Sequence, residues 1–389
     1  MSPKARAVLA LGLAQTMPWG GSYYIPAILA APIARDLGLH TSTVFAVFSA
    51  ALLLSAFLGP VAGRTIDRHG GHGVLMASNL VMSAGLVLLA MAQGFATLAL
   101  AWAVLGVGMG IGLYEAGFAT LARLFGGAAR GPITGITLFA GFASTVAWPF
   151  STWLEAHYGW RGTCLVWAAI MPALGLPLNG WLLPRAVQPA PAAAAHAAPP
   201  ARPPGFWSLA LLAYVFAVAA FASSAMAAHL PGMLAMAGAT AGVVVLAGAL
   251  LGPAQVAARL LDFSLLRRWN PLVSATLANA LHPLGVVLLL LWGAPAAIAF
   301  VVLHGAGNGM MTVSRGTLPL ALFGPAGYGA RTGWLAIPAR FSAAAAPVLF
   351  GLLLERFGVA AMGFTAALSM LAMAALLILA RTASAPAPR

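Results

Sequence analysis

The sequence predicts an all-α integral membrane protein with twelve transmembrane helices arranged as two six-helix pseudo-repeats. Three observations predict it. Charged residues make up 6% of the 389 residues and hydrophobic ones 62%, whereas a soluble domain carries about 25% charged residues. Apolar windows of about 20 residues, long enough to cross a bilayer, recur along the whole chain. The two halves also match each other in sequence.

The windows run 7–33, 41–63, 73–93, 97–122, 131–155, 161–183, 206–231, 240–261, 271–292, 296–321, 330–353 and 358–380. Lys4 and Arg6 precede the first, which is far longer than the apolar core of a signal peptide and reads as an uncleaved helix. The loop cations then sort by side. Lys4, Arg6, Arg64, Arg68, Arg123, Arg130, Arg185, Arg202, Arg267, Arg268, Arg331, Arg381 and Arg389 fall on one face. Arg35, Arg161 and Arg356 fall on the other, each near an acid (Asp36, Glu155, Glu355). By the positive-inside rule both termini are cytoplasmic. The net charge of +13 is thus an orientation signal and not a nucleic-acid surface. A single cysteine, Cys164, excludes an internal disulfide and a multi-thiol metal site, and no cofactor is expected.

A stretch rich in proline and alanine at 184–205 acts as a semi-rigid spacer between an N-terminal half, 1–183, and a C-terminal half, 206–389. Residues 101–126 align without gaps on 299–324. Thr134-Gly135, Ser144 and Pro149 recur as Thr332-Gly333, Ser342 and Pro347. Leu58-Gly59-Pro60 and Arg64-x-x-Asp67 recur as Leu251-Gly252-Pro253 and Arg259-x-x-Asp262, with two residues inserted. Three matches in the same order make a parallel repeat.

Between the second and third windows lies Gly63-Arg64-Thr65-Ile66-Asp67-Arg68-His69-Gly70-Gly71-His72-Gly73. A charge in hydrocarbon costs about 2.5–3.5 kcal/mol, so this stretch is expected as a tight, water-facing loop. Gly63 would allow close approach of a neighbour, and Gly70, Gly71 and Gly73 would permit a positive-φ turn. Asp67 and Arg68 would pair with each other or with the ends of neighbouring helices. The stretch resembles the G-x-x-x-D-R-x-G-R-R signature of the major facilitator superfamily through Gly63, Asp67, Arg68 and Gly70. Gly71 and His72 stand where that family usually has two basic residues. The resemblance implies a transporter with its substrate at the midplane between the halves.

In that superfamily the first, fourth, seventh and tenth helices line the central cavity, which directs attention to Glu115 and Arg315. Glu115 lies about eight residues, or about 12 Å, from the end of its window, and Arg315 is at a matching depth. An intramembrane ionisable residue is a functional candidate. Either Glu115 carries a proton while Arg315 holds substrate, or the two form a fixed pair. Arg340 lies deep in the eleventh window, which resembles the helix where carboxylate carriers of the superfamily place a substrate-binding cation. Two guanidinium groups suit an anion, because each grips a carboxylate bidentately. The alternative is that Arg340 bonds helix carbonyls. Gln15, Trp19 and Tyr23, at i, i+4 and i+8, share one helical face beside Pro18, which is expected to kink the helix. The run from Pro18 to Tyr24 resembles the first helix of carriers near the monocarboxylate and oxalate branch. Asn308 is a candidate polar lining residue. His282 and His304 read as histidines bonded to neighbouring helices. The glycine pairs Gly106/Gly110, Gly108/Gly112 and Gly305/Gly309 are packing faces.

The fourth and fifth windows lack the Arg and the Gly-Pro-x-x-Gly-Gly element usual in drug/proton antiporters of the superfamily. The expectation is therefore secondary active transport of a small organic anion such as a monocarboxylate, with protons as a candidate co-substrate. Efflux of drugs or toxic compounds, arsenicals included, is the alternative, and a non-transporting membrane sensor a remote one. Alternating access is the expected mechanism, with Arg64, Asp67, Arg68, Arg259 and Asp262 locking the cytoplasmic side. The partners are a small-molecule substrate and the lipid bilayer, with no nucleic acid. The protein is expected as a monomer without enzymatic activity.

Overall fold

The computed structural model describes residues 1–185, 205–266 and 269–384. Most of the expected linker, with Arg202, Arg267, Arg268 and Arg389, lies outside them. The described residues contain helices and no strand. Two compact units divide the chain. The first comprises Met1–Pro200 and Gly324–Trp334, the second Ala201–Phe323 and Leu335–Arg389.

The first unit contains α1 (Pro3–Pro18), α2 (Ile25–Asp36), α3 (Thr41–His69) and α4 (His72–Ala90). It continues with α5 (Phe95–Gly112), α6 (Tyr114–Phe125), α7 (Arg130–Gly141) and α8 (Ala143–Pro177). Ser2 caps α1 by accepting from the Ala5 N–H, with Pro3 at a position where its missing N–H costs nothing. The helix α8 turns sharply at Gly159 (φ 66°), where the sequence separates its fifth and sixth windows. A π turn, Trp19–Tyr23, joins α1 to α2. The core is apolar side chains between α3, α4, α5 and α8, with Trp102, Met82, Leu86 and Leu105 fully buried. A Cβ at Gly106 would meet the Ala51 carbonyl oxygen at 2.7 Å, and one at Gly110 the Ser55 oxygen at 2.9 Å. These glycines therefore let α5 ride on α3.

At the end of α2, Asp36 pairs with Arg161. The Arg161 hydrogen bond holds the Asp36 carboxyl below its ordinary value of 3.8.

The second unit holds α9 (Phe206–Met236), α10 (Ala241–Ser264), α11 (Pro271–Trp292), α12 (Ala297–Phe323) and α14 (Met362–Ser384). It also holds α13 (Tyr328–Phe357) beyond Trp334, the first turns of that helix grouping with the first unit. Thr240 and Asn270 cap α10 and α11 through their side-chain oxygens. The helix α12 packs on both α10 and α11: a Cβ at Gly309, one of the predicted packing glycines, would strike the Gln255 oxygen at 2.3 Å, and one at Gly307, which the sequence did not single out, the Ala278 oxygen at 2.6 Å.

Among the described residues, eight helical stretches are long and apolar enough to cross a membrane. Two of them, Phe95–Leu182 and Tyr328–Thr382, are far longer than one crossing and contain five of the expected spans. The first expected span is divided by the π turn. Large apolar side chains such as Val245, Leu261, Leu291 and Val348 stay more than half exposed, as suits a surface solvated by lipid.

Candidate functional site

One end of α3 departs from the expected loop. Residues 63–69 are helical, and the reversal is confined to Gly70 (φ 88°) and Gly71. The helix runs past the hydrocarbon with its cations, Arg64 and Arg68, exposed, so charge here marks a helix end and not a loop. Gly63 does allow close approach: a Cβ there would sit 2.0 Å from the Gly329 carbonyl oxygen. That contact brings Asp67 to the start of α13. Its two carboxylate oxygens accept from the Gly329 and Ala330 N–H groups, each at 2.9 Å. Two of the four unsatisfied N–H groups of that helix end are thereby met, and its positive dipole end faces a negative charge. Arg123 closes the other side, donating to the Asp67 carbonyl and, at 3.1 Å, to that of Arg68. The sequence pointed to Arg123 only as an orienting charge.

The repeat counterpart in the second unit is built differently. Arg259 and Asp262 are buried, and Arg259 Nε donates to the Gly309 carbonyl at 3.3 Å.

In the first unit, the wall expected from Gln15, Trp19 and Tyr23 exists, but not on a regular helical face. Pro18 ends α1, and in the following π turn the Tyr24 N–H reaches back five residues to the Trp19 carbonyl at 3.0 Å. Trp19 and Tyr23 still meet, ring centroids 4.9 Å apart at 62°. Two aromatics missed in the sequence join them. Tyr114 lies 4.9 Å from Trp19, and Tyr24 lies 5.6 Å from Tyr23 and 6.2 Å from Trp148.

Tyr114 reaches Trp19 because the fourth span is broken. Leu113 has an extended backbone (φ −77°, ψ −167°), and the Ala116 N–H bonds the Leu113 carbonyl. The Gly112 carbonyl, left without its helical donor, accepts from Gln15 Nε2 at 2.8 Å. Glu115 falls in the first turn of α6, where the helix dipole favours a carboxylate. Discontinuous spanning helices are used to hold substrates and ions. Gln15 Oε1 and Trp19 Nε1 are buried without a hydrogen-bond partner among the described residues. Gln15, Trp19, Tyr23 and Glu115 thus gather at one helix break.

Arg315 lies in α12 and Arg340 in α13, both half-buried and each at least eight residues from a helix end. Asn308 lines a cavity of about 30 Å³ in the second unit, shared with His282 and His304. Those two histidines bond each other, which their separation in sequence could not reveal.

No curated protein matches the sequence. Among solved structures, the human organic anion transporter MFSD10 (TETRAN) superposes with a TM-score of 0.76 at 16% identity, over 97% of this chain and 100% of that one. A transporter of the same superfamily, FucP in the outward conformation, gives 0.72 at 15% identity over 99% and 100%. At such identities the likeness is one of fold. The sequence model for the Major Facilitator Superfamily matches residues 11–311. The chain therefore belongs to the major facilitator superfamily, a multi-pass membrane fold that moves small solutes by secondary transport and not by enzymatic catalysis.

Proposed function

We propose that this chain carries a small organic anion, such as a monocarboxylate, with proton coupling through Glu115. The observation that carries the reading is the presence of Arg315 and Arg340 inside two spanning helices, far from either end. Charges so placed are costly and are kept for function, and guanidinium suits a carboxylate. The organic anion transporter named above has the same fold, which supports this choice without deciding it. Glu115, at a helix break beside the aromatic wall, is the proton carrier in this reading. The orphaned Trp19 Nε1 supplies a donor and Gln15 Oε1 an acceptor for polar groups of the substrate.

Alternating access follows, between the halves 1–183 and 206–389 joined by the linker 184–205. Asp67 on the α13 N-terminus is the contact that holds one state. The alternation of cationic loops supports cytoplasmic termini, the resemblance of the Pro18–Tyr24 run to bacterial carriers supports a bacterial inner membrane, and the functional unit in this reading is a monomer.

A second reading rests on the aromatic wall. Trp19, Tyr23, Tyr24 and Tyr114 would also suit a lipophilic cation through cation–π contact, with Glu115 as counter-charge, in an exporter. Ligand-induced thermal stabilisation separates the two. Small carboxylates and lipophilic cations are screened at two pH values against the parent and Arg340→Gln. A ligand that binds the folded state raises stability by RT ln(1 + [L]/Kd). Stabilisation of the parent alone by a carboxylate supports the anion carrier. Stabilisation of both proteins by cations alone replaces it with the exporter. Unchanged pH-driven transport in Glu115→Gln would remove the proton-carrier role.

A further inference from the structure

The second unit contains a buried hydrogen-bonded chain that the reading above does not use. His304 Nδ1 lies 3.0 Å from His282 Nδ1, and His282 Nε2 lies 3.0 Å from Thr365 Oγ1. Thr365 donates its one hydroxyl hydrogen to the Met362 carbonyl at 2.9 Å. These groups, with Asn279 and Ser369, are at most 5% exposed. The polarity of the chain follows from the donor inventory. Because the Thr365 hydrogen is spent on Met362, His282 Nε2 must carry the proton of its bond to Thr365. A neutral His282 then has a bare Nδ1, which accepts from Nδ1–H of His304. A neutral His304 is left with a bare Nε2.

His304 lines the cavity of about 30 Å³ together with Asn279, Asn308 and Ser369. That volume holds one or two waters, and the wall offers the polar partners that a buried water needs. Protonation at His304 Nε2 would leave every hydrogen bond of the chain as it stands. The charge could be shared with His282 across the Nδ1–H···Nδ1 bond.

The fold does not require these histidines. The segment Asn279-x5-Gly285-Val-Val-Leu-Leu of α11 repeats Asn79-x5-Gly85-Leu-Val-Leu-Leu of α4, placing Met82 at the position of His282. Gly106 occupies the position of His304 in the aligned fourth span. Met82 is fully buried in an apolar core there.

Charge in the surroundings is sparse. Among the described residues no charged side chain lines the cavity. The α9 helix contributes Tyr214, bonded to the Leu368 carbonyl, and His229, bonded to the Pro347 carbonyl. The α11 helix has no titratable group besides His282, and α14 has none before Arg381. On α12, Arg315 is eleven residues beyond His304, about 16 Å along the helix. The acids of the second unit, Asp262 on α10 and Glu355 on α13, do not line the cavity.

We propose that His304 is a proton-binding site internal to the second unit, filled at Nε2 from the water-sized cavity and shared with His282. It makes that unit proton-sensitive independently of Glu115.

Nuclear magnetic resonance of the ¹⁵N-histidine-labelled protein in lipid nanodiscs tests this, because bare and protonated imidazole nitrogens differ in chemical shift. At neutral pH one histidine should be protonated at Nδ1 and bare at Nε2. That Nε2 should gain a proton as the pH is lowered from 7. The signal should be missing in His304→Gln and persist in Glu115→Gln. Thr365→Val, which removes the acceptor behind His282, should weaken proton binding about tenfold, a shift of about one pH unit. A His304 already protonated at Nε2 at neutral pH would overturn the proposal. So would both imidazoles remaining neutral down to the lowest pH at which the protein stays folded. If His304→Gln fails to fold, the parent spectrum and Thr365→Val decide.

Discussion

Removing the Asp67 carboxylate should release the start of α13. In Asp67→Ala the Gly329 and Ala330 N–H groups, each held at 2.9 Å, lose their acceptor. Loss of a side-chain cap costs about 1–2 kcal/mol, and loss of a carboxylate facing the helix dipole about 0.5–1 kcal/mol. With partial compensation by water, the total is about 2 kcal/mol, or about 30-fold in an opening equilibrium. Asp67→Asn keeps one oxygen acceptor but no charge, so it should cost about 1 kcal/mol, about fivefold. Hydrogen–deuterium exchange of peptides covering residues 324–335 reads this opening directly. The expected order of exchange is parent, then Asn, then Ala. Arg123→Gln is the control, since its bonds go to the carbonyls of Asp67 and Arg68. It should loosen the end of α3 first. Equal exchange in parent and Asp67→Ala would refute the capping argument.

Three further outcomes are expected. Gly63→Ala would place a methyl group 2.0 Å from the Gly329 oxygen and 2.2 Å from its carbonyl carbon. Backbone would have to move, so the variant should lose about 1–3 kcal/mol, seen as a lower melting temperature and faster exchange in the same peptides. Gln15→Leu would leave the Gly112 carbonyl without its donor, costing about 1–3 kcal/mol and raising exchange at residues 112–117. The ion pair of Asp36 and Arg161 gives a pH dependence with a defined sign. Because the folded carboxyl lies below 3.8, its contribution is present above that value and is lost as pH falls through the folded one. Arg161→Gln should raise the Asp36 titration midpoint towards its ordinary value, measured by carboxyl ¹³C shifts.

The spanning windows were legible because a bilayer demands long apolar runs, and the packing glycines because they lie at four-residue spacing. Gly106, Gly110 and Gly309 meet backbone of the next helix as that spacing implies. The stretch from Gly63 to His69 was misread because charge marks departure from hydrocarbon, not the end of a helix. Gln15, Trp19 and Tyr23 were placed on one face by a 3.6-residue period that the π turn interrupts. Glu115 was found by its charge alone. The break beside it at Leu113 leaves no composition signal, since the side chain that meets the freed Gly112 carbonyl, Gln15, lies 97 positions away in the chain. The histidine pair was hidden for the same reason, its members lying on different helices.

The π turn at Trp19–Tyr23 acts as a one-residue phase shift within a single membrane crossing. Both segments touch α8, but before the turn α1 packs chiefly against α7, and after it α2 packs against α3. An unbroken helix would continue one stripe along its length, whereas the extra residue rotates the second half by about 100° relative to that stripe. Gly20 and Gly21 keep the shifted backbone against α8, where a Cβ would strike Trp167 at 2.7 Å or Met171 at 2.4 Å. One crossing therefore serves two sets of neighbours. Deleting one residue there would turn α2 onto the wrong partners while leaving its composition almost unchanged.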